Sequence, residues 1–252
     1  MKAIILAAGR GSRMKDRTKR KPKCLTKLWG RTLLEWQLKA IRESDVTDIA
    51  VITGYHAQEI QKQFPGLKYF HNAEWETTNM VSTLFCASEW LESDDCLISY
   101  SDILYSNKAV RSLLIEPADI SLTYYTKFQM LWKERFENPL DDIETFKINQ
   151  QGKLIEIGQK ASSLSEIEGQ YMGLLKFKPN GWNRICKETA NGLPKPLAKM
   201  DMTSLLNYLI KQDVNIKCVP YDGLWLEVDS QEDLLLYESW NSVTYLQMLN
   251  EL

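Results

Sequence analysis

The residue types most suggestive of chemistry lie near the start of the chain, in LAAGRGSRM at positions 6–14 and in KPKCL at 21–25. The first string leaves an apolar run and carries Gly9 and Gly11. Residues with little or no side chain let backbone N–H groups approach a phosphate closely. Positions 10–27 hold nine Lys or Arg and one acid, Asp16, in a chain whose net charge is −2. So basic a loop, leaving a strand end, suits a polyanion such as a nucleoside triphosphate. Three rival uses fit less well. A P-loop would close on Gly-Lys-Ser or Gly-Lys-Thr, whereas Gly11 is followed by Ser12 and Arg13. A dinucleotide fingerprint would need a third glycine where Met14 stands. A run that binds RNA would be interleaved with aromatic stacking platforms, which this one lacks.

Two acids are candidates to complete such a site. Asp102 follows an apolar strand, where a carboxylate is well placed to hold magnesium, and Asp229 lies in WLEVDSQED at 225–233. Magnesium needs only one or two protein carboxylates and takes the rest of its shell from phosphates and water. Each acid also has a plainer reading at a helix start: Asp102 ahead of Asn107, and Asp229 together with Glu232 and Asp233. They stand far apart in the chain, and nothing in the spacing alone joins them. Two histidines and five scattered cysteines without a C-x-x-C pair argue against zinc and against a disulfide framework.

An alternation of strands and helices must position these groups. Residues 3–6 read as a buried strand ending at Ala-Ala-Gly. Leu33, Leu34, Leu38 and Ile41 give 32–44 a helical spacing. Strands are expected at 49–53, 67–70 and 95–100, with helices at 57–64 and 79–91, the latter capped by Thr77 or Thr78. Such alternation implies right-handed crossovers, a mostly parallel sheet, and ligands outside the carboxyl ends of its strands. Both the Gly9 loop and Asp102 follow strands at that edge. The second half adds strands at 120–126, 170–177 and 215–219, a hairpin of 144–149 with 153–158, and helices at 201–211 and 230–249. Residues 128–142, charged and aromatic, are a candidate lid over an acceptor.

The expected fold is a three-layer, mostly parallel, Rossmann-like α/β domain with a small substrate lid. One domain would span 1–252, its nucleotide half about 1–105 and its acceptor half about 106–252. A composition of 44% hydrophobic and 25% charged residues is that of a soluble globular protein. The longest apolar runs fall well short of the ~20 residues that span a bilayer, so a cytoplasmic protein is expected. The net charge gives no general attraction to nucleic acid.

The two strings at 6–14 and 21–25, in that order and at that separation, resemble the signature of the nucleotidyltransferase superfamily of sugar-phosphate and choline-phosphate enzymes. The likeness extends to about Asp233 and implies the nucleotide-diphospho-sugar transferase type of fold. It further implies that Leu6, Ala8, Gly9, Gly11 and Ser12 wrap the nucleotide, that Arg13 and Lys23 work at the reacting phosphorus, and that Asp102 and Asp229 hold magnesium. Ser101 stands where the family usually has glycine, a departure that leaves the carboxylate unaffected. Arg10, Lys15, Arg17, Lys19 and Arg20 are expected to be solvated. Pro22 would fix the backbone beside Lys23, with Cys24 and Leu25 buried beneath the loop.

The implied reaction is attack by an acceptor phosphate or phosphonate oxygen on the α-phosphorus of an NTP, releasing pyrophosphate. The nucleophile is already an anion, so positioning and charge stabilisation suffice. Hexose-1-phosphate enzymes usually continue the loop as Gly-Thr-Arg-Leu and carry a Gln-Pro-Gly segment. This chain has Gly-Ser-Arg-Met and, at 76–82, ETTNMVS. The latter resembles the cytidylyltransferases that act on phosphocholine or 2-aminoethylphosphonate. On that likeness CTP is the donor, and Asn79 and Ser82 contact its base or ribose. The acceptor would be phosphocholine, aminoethylphosphonate or a phosphorylated amino acid. Its amine calls for carboxylates and aromatic faces. Glu168 and Tyr171 rank first, Trp132 and Trp225 follow, and Lys160 is a candidate for the acceptor phosphate. The alternatives are a sugar-1-phosphate nucleotidyltransferase and a non-catalytic nucleotide-binding regulator.

Overall fold

The computed structural model describes residues 1–240. The first strand, β1 (Lys2–Ala7), is buried on both faces: Ala3, Ile5 and Ala7 enter one core, Ile4 and Leu6 the other. A strand covered on both sides reads as a continuous apolar run rather than an alternating one. It is joined by β2 (Asp48–Thr53), β3 (Lys68–His71), β4 (Cys96–Tyr100), β5 (Ile120–Tyr125), β6 (Gln170–Phe177) and β7 (Lys217–Tyr221). Among the described residues these seven form one sheet in the order β7-β5-β6-β4-β1-β2-β3. β6 runs antiparallel to both its neighbours, and the other pairs are parallel. Helices lie on both faces, giving the mixed, mostly parallel α/β sheet that the alternation implied.

Local chemistry sets the helix starts. Thr32 opens the helix Leu33–Arg42 with a capping box: its Oγ1 accepts from Glu35 N, and Glu35 Oε2 accepts from Thr32 N. Buried Gln37 on that helix donates to Ile103 O at 2.6 Å, tying the helix to the segment that follows Asp102. That segment, Ile103–Tyr105, pairs antiparallel with Trp225–Glu227, and Val228 N donates to Asp102 O at 2.8 Å. Two stretches distant in sequence are thus fastened together at the carboxyl edge of the sheet.

Several elements differ from expectation. Residues 79–91 form two short helices, Met80–Phe85 and Ser88–Ser93. Asn79 caps the first through its side-chain oxygen, 2.7 Å from Met80 N. Thr77 and Thr78 do not cap it, because their hydroxyls turn back to Glu74 O. The helix Asn107–Leu114 starts after Ser106, so Asp102 is not its cap. The helix Pro179–Ala190 carries no expectation from the sequence, its polar first turn masking the buried Trp182 and Ile185. Residues 128–142 form the helix Phe128–Arg135 and a turn at Pro139–Asp141. Phe128, Leu131 and Trp132 are buried in the core, so this helix is packed rather than draped as a lid. The last described helix is Gln231–Ser239; the expected continuation through 241–249 lies outside the described residues. No helix among the described residues is long and apolar enough to cross a membrane.

Asp201 supplies a stability test. It caps Met202–Lys211 by accepting from Ser204 N at 2.7 Å and receives Lys195 Nζ at 2.7 Å. Burial opposes its charge, but the Lys195 and Ser204 hydrogen bonds outweigh burial and lower its carboxyl to about 2. That folded value lies below the ~3.9 of an unfolded aspartate, so its stabilisation is present above about pH 4 and lost as pH falls toward about 2. Asp201→Ala should cost about 1 kcal/mol in urea unfolding at neutral pH. The difference from the native protein should shrink as the pH of the titration approaches about 2.

Candidate active site

The loop after β1, the segment after β4 and the turn before the helix Gln231–Ser239 meet at one point. Lys23 Nζ donates to Asp102 Oδ2 at 2.8 Å and to Asp229 Oδ1 at 2.7 Å. Arg13 pairs with the other oxygen of Asp229. Lys23 is 7% exposed, and a buried ammonium survives only with paired anions. Burial pushes its pKa down, but Asp102 and Asp229 more than compensate and hold it above the ordinary lysine value.

Backbone geometry aims this side chain. Pro22, extended at φ −61°, starts the turn Lys23–Leu25, and Cys24 and Leu25 are buried beneath it as expected. Gly11 has φ +69°, and a Cβ there would meet Lys23 Cβ at 2.7 Å. The absent side chain therefore makes room for the lysine stem. Thr18 Oγ1 donates back to Gly11 O at 3.0 Å, and Tyr55 donates to Thr18 O and Lys19 O, which pins the basic segment to β2's exit. Arg10, Lys15, Arg17, Lys19 and Arg20 are exposed. Lys15 meets Glu232 at the surface, 3.2 Å away, a pairing of small energetic weight.

The donor set fits magnesium. Asp102 Oδ1 is buried without a hydrogen-bond partner, a lone pair left for a ligand. No cluster of three or more His, Cys, Asp or Glu side chains suited to a metal occurs among the described residues. Two carboxylates suit an ion that completes its shell with phosphates and water, and fall short of the three protein ligands of catalytic zinc.

A cleft of about 280 Å³ opens beside this cluster. Its wall contains Leu6, Ala8, Gly9, Gly11, Ser12, Arg13, Lys23, Asn79, Asp102 and Asp229, all anticipated from sequence. Ser82 is not part of it, because its Oγ donates to Leu197 O at 3.1 Å, on the far side of the short helix. Trp75, Thr83 and Tyr100, for which no site role was expected, also line the cleft, as does Thr78, expected only as a helix cap. Trp75 packs against Gly54, where a Cβ would meet its own at 2.6 Å, and sits edge-on to Tyr55 at 5.2 Å. The NAEWETTN context at 72–79 carried that signal, since an aromatic residue stands within one turn of the polar segment.

A second cleft of about 260 Å³ adjoins the first and shares Arg13, Met80, Tyr100 and Asp229 with it. Its wall holds Asp142, Glu144, Asp201, Glu227 and Asp229 with Arg13, and Lys195, Arg135 and Lys23 pair with Asp201, Glu227 and Asp229 from outside it. Burial pushes the Glu227 carboxyl up to about 7, with Arg135 opposing and Asp102 and Asp229 adding to the rise. Tyr171 lines this cleft, brought there by a register shift of β6 around Gly173, whose φ is +74°. The other acceptor candidates lie elsewhere. Glu168 is exposed at the hairpin edge, accepting from Ile148 N at 2.7 Å. Lys160 is exposed at a strand end outside the cleft wall. Trp132 and Trp225 are core residues, stacked at 6.0 Å with Trp225 Nε1 bonded to Met172 O. Aromatic composition alone does not separate a cage from a core.

Comparison with known proteins places the chain in a family. Residues 3–132 match the family described as the MobA-like NTP transferase domain. The CTP:phosphoglutamine cytidylyltransferase of Campylobacter jejuni is 35% identical over 93% of this chain and 98% of its own. The 2-aminoethylphosphonate cytidylyltransferase of Lancefieldella rimae is 26% identical over 66% of this chain and 64% of its own. Among solved structures, the inositol-1-phosphate CTP transferase from T. maritima superposes with a TM-score of 0.75 at 17% identity, covering 98% of this chain and 94% of that one. This last likeness concerns the fold. With the matched domain and a relative aligned over nearly its whole length, the chain belongs to the MobA-like NTP transferase family.

Proposed function

We propose that this protein is a magnesium-dependent cytidylyltransferase. It transfers CMP from CTP to the phosphate or phosphonate oxygen of a small acceptor that carries a protonated amine. The reading rests on Lys23 in the wall of the first cleft, bonded to Asp102 and Asp229, and on Arg13 and Asp229, which line both that cleft and the acidic one. The relatives that act with CTP support the donor, and phosphoglutamine, named for the first of them, makes a phosphorylated amino acid the leading acceptor. Five free cysteines fit a reducing, cytoplasmic setting.

The first cleft holds the nucleotide, its base between Ala8, Trp75 and Asn79 and its phosphates along Gly9, Gly11 and Ser12. Asp102 and Asp229 would hold magnesium, which would supply charge neutralisation at the donor phosphates. The acceptor lies in the second cleft, its ammonium among Asp142, Glu144 and Asp201 and its phosphate toward Arg13. An acceptor oxygen forms the new bond to the α-phosphorus. The bond from that phosphorus to the β-bridging oxygen breaks, and pyrophosphate leaves with the electron pair. Lys23 and Arg13 stabilise charge that builds on the transferring group. Because the acceptor oxygen is already ionised, no side chain need remove a proton.

The substrates are tested by pyrophosphate release from each of four NTPs with phosphoglutamine, phosphocholine, aminoethylphosphonate and hexose-1-phosphates. Release with CTP and an amine-bearing acceptor is expected; release with a hexose-1-phosphate alone would discard the reading. Lys23→Ala should lower kcat by roughly 10²–10³-fold, the loss seen when one transition-state donor is removed, with a much smaller change in KM for CTP. Glu144→Gln should raise KM for the acceptor by roughly 10-fold, as for a lost charged hydrogen bond, while KM for CTP stays put. Steady-state kinetics with each substrate varied separates the two effects.

A further inference from the structure

Asp229 stands in a short turn, between the strand Trp225–Glu227 and the helix Gln231–Ser239. Val228 N ties the turn to the backbone carbonyl of Asp102, and Lys23 and Arg13 pair with the Asp229 carboxylate, but something must also fix the backbone of the turn that carries it. Asp233 does so directly: its Oδ2 accepts from Asp229 N at 2.9 Å, Ser230 N at 2.8 Å and Ser230 Oγ at 3.0 Å. Asp233 is in turn gripped by Arg135, with Nε to Oδ1 at 2.8 Å and Nη2 to Oδ2 at 3.2 Å. The third nitrogen, Nη1, reaches Glu227 Oε2 at 3.0 Å, at the other end of the same turn. The Arg135 side chain is 1% exposed. Trp132 and Phe136 lie against its guanidinium at 4.8 and 5.0 Å.

We infer that Arg135 is a positioning residue for Asp229, acting through Asp233 and Glu227 to hold the turn that presents the carboxylate to a divalent metal. A planar fork with five donors can bond both acids at once, which a lysine ammonium cannot do with the same geometry. The cost of burying this charge is met by two carboxylates and two aromatic faces, so the guanidinium has one orientation available. Within the stretch at 128–142, whose charge and aromatic content stood out in the sequence, the helix Phe128–Arg135 thus serves the metal site from behind, while Asp142 lines the acidic cleft. Outer partners of metal ligands typically govern affinity by 10–100-fold.

The inference rests on the reading of Asp102 and Asp229 as the metal carboxylates, and one set of variants separates the two. Mn²⁺ affinity is measured by electron paramagnetic resonance in the presence of CTP, and CTP affinity separately in EDTA. Asp229→Asn should abolish tight Mn²⁺ binding. Arg135→Lys and Asp233→Asn should each weaken it by roughly 10–100-fold, with CTP affinity in EDTA changed by less than about twofold and far-ultraviolet circular dichroism unchanged. Arg135→Ala should be the more severe form of Arg135→Lys. If either Arg135→Lys or Asp233→Asn folds and binds Mn²⁺ as the native protein does, while Asp229→Asn does not, the positioning role is overturned. Native Mn²⁺ affinity in Asp229→Asn would overturn the metal reading and the inference with it. Asp233→Asn keeps the size of the side chain and carries the test alone should Arg135→Lys fail to fold.

Discussion

The structure turns on one buried ammonium group. Lys23 sits between Asp102 and Asp229, and no two of the three are close in sequence. An unpaired lysine at this depth would shed its proton, and two unpaired carboxylates this close would repel. Together they form a stable, charged centre, and much of the surrounding architecture serves to keep it assembled. Gly11 leaves space for the lysine stem, and Pro22 sets the direction of the backbone that carries it. The ladder between Ile103–Tyr105 and Trp225–Glu227 brings the two acids to the same point. Gln37 anchors one strand of that ladder, and Arg135 anchors the turn after the other.

Around this centre the charges divide. One cleft carries Gly9, Gly11 and Ser12 beside Arg13 and Lys23, the other the acids Asp142, Glu144, Asp201, Glu227 and Asp229 with Arg13. A triphosphate and an amine-bearing phosphate are complementary to those two environments. Arg13 lines both clefts and pairs with Asp229, which suits the proposed role of contacting the α-phosphate as the nucleotidyl group passes from donor to acceptor. Such preorganised charge does not have to be rearranged as the reaction proceeds, which is where most of its catalytic worth lies.

Local signals in the sequence were enough for most of the first half of the fold, though not for the break that splits 79–91 into two helices. β1 is a bare apolar run, the helix at 33–42 has its capping box, and the strands at 48–53 and 96–100 end in polar turns. The phosphate loop was legible for the same reason, since its chemistry is contiguous. Contacts that depend on tertiary packing were not legible. Trp132 and Trp225 resemble cage residues in composition, yet they stack in the core. Glu168 stands near Tyr171 in sequence, but a hydrogen bond to Ile148 N holds it at the hairpin edge. Asp142 and Glu144 sit at the start of the hairpin while Asp201 caps a helix far along the chain, and only the packing of the hairpin against Met202–Lys211 gathers them. Arg135 carried no local mark, because its partners lie nearly a hundred positions away.

Lys23, held by two carboxylates, is proposed to await the α-phosphate of the nucleotidyl group that is transferred. The most direct measurement is a crystal structure with magnesium, the amine-bearing acceptor and a CTP analogue that cannot release pyrophosphate. The account predicts that the α-phosphate lies within hydrogen-bond distance of Lys23 Nζ, at the junction of the two clefts, with the ion on Asp102 and Asp229. A triphosphate seated away from Gly9 and Gly11, with Lys23 still bonded to both aspartates, would contradict it.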